Sequence, residues 1–73
     1  MKLEEALWQD NERMSGAVCF RGTRIPVEFV FDHLEAGSID EFYEDFPDVT
    51  PEQVHAVVSA SKELVQASVK AAA

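Results

Sequence analysis

A chain of 73 residues with a formal net charge of −8 is one small domain, near the size at which a single hydrophobic core is only just sufficient, so oligomerisation or a partner is expected. An apolar fraction of 47% argues against disorder throughout, and the single cysteine, Cys19, rules out an internal disulfide and fits a reducing compartment. No apolar run approaches the roughly 20 residues of a membrane span, and Met1-Lys2-Leu3-Glu4-Glu5 lacks the pattern of an export signal, so a soluble cytoplasmic protein is the expectation.

Residues 1–25 carry the weaker structural signals. Ala6-Leu7-Trp8 reads as a short strand or the end of a helical turn, and residues 11–16 read as a turn. Ala17-Val18-Cys19-Phe20 has the composition of a strand, with Cys19 acting as a small apolar residue. Arg21-Gly22-Thr23 then reads as a bend.

Residues 26–71 carry strong helical signals. Pro26 suits a first helical turn, and Val27, Val30, Phe31 and Leu34 repeat at the spacing of one helix face, predicting a helix over 26–36 that Gly37 ends. Ser38 with Glu41 forms a capping-box pattern before Ile39, Phe42, Tyr43 and Phe46, predicting a second helix over 39–46 that Pro47 stops. Thr50, Pro51 and Gln53 open a third, predicted over 51–70, with Val54, Val57, Val58, Leu64 and Val65 on one face and Ser61 interrupting it. The predicted core is Val30, Phe31, Leu34, Phe42, Phe46, Val54, Val57 and Val58.

The expected fold is thus a single domain over residues 1–73, mainly α: a three-helix, helix-turn-helix bundle with a short N-terminal β element. Its second helix occupies the position that enters a DNA groove in such units, yet it carries Asp40, Glu41, Glu44 and Asp45 and no base. Those carboxylates face phosphates with the wrong sign. No basic residue lies between Arg24 and Lys62, an interval that holds nine carboxylates, so a basic protein is a better partner for this middle than a nucleic acid. The competing reading is a solvated acidic face that only aids solubility.

The ordered set Ser15-Gly16-Ala17-Val18-Cys19-Phe20-Arg21-Gly22-Thr23-Arg24-Ile25-Pro26-Val27, then Gly37-Ser38-Ile39-Asp40-Glu41-Phe42, then Asp45-Phe46-Pro47-Asp48-Val49-Thr50 resembles the DUF433 family of small bacterial and archaeal proteins. Ala17 stands where many members carry a proline. The resemblance implies a homeodomain-like helix-turn-helix and an antitoxin that binds and neutralises a PIN-like ribonuclease toxin, as a homodimer, with repression of its own operon through operator DNA as a further expectation. The alternative is a dimeric DNA-binding regulator without a toxin, and a small hydrolase is the remote one.

Individual residues each carry two readings. Arg21 and Arg24 fit either the carboxylates of a partner's nuclease centre or DNA phosphates, as does Arg13 for DNA. Alternatively they pair with Glu28, Asp32 or the carbonyls that end a helix. Phe29 falls off the apolar face of its helix and is either an interface anchor or part of a second cluster. Glu44, Asp45 and Asp48 are the expected acidic contacts of a basic partner. Trp8, Val18 and Phe20 are the expected dimer contacts, set against burial of Trp8 in its own core. Cys19, His33 and His55 lack a catalytic motif and read as a core thiol and two surface histidines; no enzyme, cofactor or metal site is expected.

Overall fold

The computed structural model describes residues 1–12 and 14–72. In chain order it runs α1 (Leu3–Ala6), β1 (Leu7–Gln9), a 3-10 turn (Met14–Gly16), β2 (Val18–Phe20), α2 (Glu28–Glu35), α3 (Ile39–Asp45) and α4 (Pro51–Ala72). The described residues are therefore mainly helical, with four helices and one two-stranded sheet.

The ambiguity at Ala6-Leu7-Trp8 resolves into both alternatives, because α1 ends at Ala6 and β1 begins at Leu7. The strands are antiparallel, pairing Leu7 with Phe20, Trp8 with Cys19 and Gln9 with Val18. The outer side of β2 is also covered. Phe20 N–H donates to Ile25 O at 3.0 Å, and Val27 N–H donates to Val18 O at 2.8 Å. That pairing holds residues 25–27 against the strand and delays the helix. Consequently α2 begins at Glu28 and not at Pro26, and Pro26 bridges to Cys19 instead.

The helix ends follow local chemistry. Gly37, at φ +96°, closes α2: its N–H donates to Leu34 O at 3.1 Å, and Ser38 N–H donates to His33 O at 3.0 Å. This is a Schellman ending, which needs a residue that tolerates positive φ. Ser38 Oγ then accepts Glu41 N–H at 3.2 Å and opens α3. At α4, Thr50 Oγ1 accepts Gln53 N–H at 3.2 Å while Gln53 Oε1 accepts Thr50 N–H at 2.9 Å, a complete capping box.

The core joins β2 to the three later helices. Phe20 from β2, Val30 from α2, Phe42 from α3, Val49 from the following turn, and Val54 and Val57 from α4 are buried together. Phe31 and Phe46 pack against this cluster half-buried. Leu34 and Val58 differ from expectation, being 45% and 43% exposed. Leu34 lies in the last full turn of α2, and Val58 lies at the margin of the stripe whose centre is Val54 and Val57, so the small core ends before it reaches either.

Candidate partner-binding surface

The turn after β2 holds two arginines with different tasks. Gly22, at φ +84°, has no atom within 4 Å of where a Cβ would stand, so the turn demands its backbone freedom and not its small size. Thr23 locks the same turn: its Oγ1 donates to Phe20 O at 2.8 Å and accepts Ile25 N–H at 3.0 Å. Trp8 Nε1–H donates to Thr23 O at 2.7 Å, tying β1 to the turn.

Arg21 is committed to the fold. Its Nη2 donates to Glu4 O at 2.7 Å and to Leu7 O at 2.9 Å, so the cation sits at the carbonyl end of α1, where the helix dipole favours it. Its own carbonyl accepts Gln53 Nε2–H at 3.0 Å. Arg24 is exposed and makes no hydrogen bond or ion pair among the described residues. Of the two, Arg24 has a guanidinium with no bond at all among the described residues, whereas Arg21 commits its Nη2 to the fold. Arg13 lies outside the described residues.

Further along the chain, α2 and α3 share an aromatic contact. Phe29, 36% exposed, stacks with Phe46 at 5.8 Å between ring centroids, which puts the off-face phenylalanine into a second cluster while leaving part of its ring open. His33 enters the same cluster, edge-on to Phe42 at 5.3 Å and to Phe46 at 5.8 Å. Its Nδ1 lies 2.7 Å from Phe29 O and its Nε2 lies 3.2 Å from an Asp45 carboxylate oxygen. Both neighbours are acceptors, so both contacts are satisfied together only by the doubly protonated ring. The Phe29 carbonyl first, and then Asp45, raise the His33 pKa above its ordinary value.

The structure thus brings Phe29 and Asp45 to one place through His33, and gives Asp45 a structural partner. Glu44 and Asp48 are exposed and without an ion pair among the described residues. Phe20 is wholly buried, with its ring 6.0 Å from that of Phe42, so its side chain serves this chain's own core and is not offered to a second copy. Trp8 and Val18 are half-buried. Cys19 is 1% exposed, and burial raises its thiol pKa by disfavouring the thiolate. No group of three or more His, Cys, Asp or Glu side chains suited to a metal occurs among the described residues. No helix of the described residues is long and apolar enough to cross a membrane.

Two side chains carry more than their sequence patterns suggested. His33 has no local motif that would link it to Asp45, twelve positions away. Gln53 is recognisable only as the partner in a capping box, yet its amide also reaches across to Arg21 O.

The family model for DUF433, described as a protein of unknown function, matches residues 9–59. The chain belongs to the DUF433 family. The match starts in β1 and ends within α4, so it takes in the hairpin, the 21–24 turn, α2, α3 and the capped start of α4. No curated protein and no solved structure matches the chain.

Proposed function

We propose that this DUF433 protein is an antitoxin-like binding protein that neutralises a basic PIN-like ribonuclease. The observation that carries the reading is the division of labour in the 21–24 turn. There Arg21 and Thr23 bond to the fold, whereas Arg24 is exposed and has no partner among the described residues. In a chain of net charge −8, a lone arginine displayed on a rigid turn suits recognition of carboxylates on another protein. Glu44 and Asp48, exposed and without an ion pair among the described residues, supply the anionic ground that steers a basic partner into place.

Operator binding is the second reading. It draws on the arrangement of α2, the Schellman turn at Gly37, and α3. Because α3 presents only carboxylates, DNA contact would fall to Arg24 and to helix ends, and affinity would drop steeply with salt.

The test is binding to a PIN-like ribonuclease, the product of the adjacent gene being the first to try. Arg24→Ala should speed dissociation, by about 2–5 kcal/mol in affinity if its partner carboxylates are buried, without moving the melting temperature. Neutralising Glu44 and Asp48 together should slow association and flatten its salt dependence. Intact ribonuclease binding by Arg24→Ala, or a stability loss that accounts for the whole defect, would refute the assignment.

A further inference from the structure

The apolar stripe of α4 outlasts the domain it serves. Val54 and Val57 lie in the core, and the same side of the helix continues through Val58, Ser61, Leu64, Val65, Ser68 and Val69. Past Ser61 every residue to Ala71 is exposed, with Leu64 at 69%, Val65 at 62% and Val69 at 68%. At about 1.5 Å per residue, the stretch 61–72 is an arm of roughly 18 Å. The molecule measures 39 × 31 × 22 Å along its principal axes. A projecting helix of about three turns gains little stability from propensity alone, so an apolar face of this kind needs cover.

We infer that a second copy of this chain covers it, with the two α4 arms packed antiparallel. Charge favours the arms over the bodies as the contact between two copies. The arm holds Lys62, Glu63 and Lys70, a net +1, which leaves −9 on the remainder of the −8 chain. Two copies meeting through their bodies repel strongly, whereas arms meeting antiparallel leave the acidic bodies at opposite ends. The side chains are also self-complementary. When Val65 of one arm faces Ser68 of the other, Leu64 faces Val69, so a large side chain meets a small one and the apolar pairs close around them. The contact is smaller than a standard interface, so the dimer is a weak one that forms at tens of micromolar protein, near −6 kcal/mol, by the usual conversion. The inference is independent of the antitoxin reading.

Sedimentation equilibrium of the full chain from about 5 to 500 micromolar is the test, spanning the dissociation constant given by that conversion. The wild-type chain should pass from monomer to dimer. Val65→Glu combined with Val69→Glu should weaken dimerisation at least tenfold, while Trp8 fluorescence shows the body still folded. A spin label at the exposed His55→Cys position should report an axial offset of roughly 35 Å in an antiparallel pair and almost none in a parallel one. A monomer at every concentration overturns the proposal. So does a dimer that the double variant leaves intact, which would move the contact to another surface such as the open edge of β1. So, too, does a short spin–spin distance. A monomeric chain whose double variant fails to bind the ribonuclease would give the arm to that partner instead, and would equally reject the self-pairing.

Discussion

Gln53 is the most exacting test of the fold, because one amide joins three elements. Only 7% exposed, it accepts Thr50 N–H at 2.9 Å and donates to Arg21 O at 3.0 Å, with a longer contact to Ala6 O at 3.4 Å. Gln53→Ala strands two backbone groups, Thr50 N–H and Arg21 C=O. Ala6 O keeps the Arg21 N–H at 2.8 Å and is not orphaned. At about 1–3 kcal/mol for each unsatisfied group, with the Thr50 end partly reached by water, the loss is roughly 2–4 kcal/mol. A domain of this length holds about 4–11 kcal/mol in total, so the change removes a large share of it. The melting temperature should fall by roughly 10–25 °C, followed by circular dichroism. Gln53→Glu separates the two halves of the role. It keeps the acceptor for Thr50 but sets a carboxylate against the Arg21 carbonyl, so it should melt no higher than the alanine variant near neutral pH. Recovery of wild-type stability by Gln53→Glu would refute the tie to Arg21 and leave only the cap.

The remaining expectations follow from neighbouring contacts. Arg21→Ala should lower stability by about 1–2 kcal/mol through its lost bonds to the α1 carbonyls, while leaving affinity for the ribonuclease per folded molecule unchanged, the reverse of Arg24→Ala. Gly22→Ala should cost about 1–2 kcal/mol through backbone strain alone, as no neighbouring atom obstructs a methyl group there; an unchanged melting temperature would contradict the φ of +84°. His33 has a folded pKa raised above its unfolded value, so its contribution is fully present below about pH 6.5 and is lost as pH rises through the higher folded value. Melting temperatures measured from pH 5.5 to 8.5 should fall across that window, and Asp45→Asn should flatten the fall.

What the sequence made legible was local, and the reason is physical. Gly37 and Ser38 stop one helix and start the next through bonds that span no more than five residues, and Thr50 and Gln53 do the same for α4. Such signals are complete within a short window, so the starts of α3 and α4 and the end of α2 were readable. The start of α2 was not, because residues 25–27 answer to β2 through bonds that depend on tertiary placement. Nor was α1, whose four residues carry no apolar period and whose end is closed by Arg21 from seventeen positions along the chain. Leu34 and Val58 sit on the apolar faces that periodicity assigns them, yet both are exposed, since periodicity reports a helix face and not how far the core extends along it.

The same distinction governs the candidate surface. Sequence alone left Arg21 and Arg24 equivalent: two arginines flanking a glycine and a threonine in an acidic chain. The hairpin separates them. Antiparallel pairing of Leu7 with Phe20 sets the backbone of Arg21 beside Ala6, and from there its guanidinium reaches the carbonyls of Glu4 and Leu7. Arg24 lies beyond the turn that Gly22 permits and Thr23 fastens, where nothing in the described chain answers it. A turn held by Thr23, Trp8 and the Gln53–Arg21 bond keeps the Arg24 backbone fixed, so the arginine loses less freedom on meeting a carboxylate than it would on a loose loop. Under the proposed function, rigid support beneath a cation that is unpaired among the described residues makes this turn, and not the acidic face alone, the place from which specificity for a partner would come.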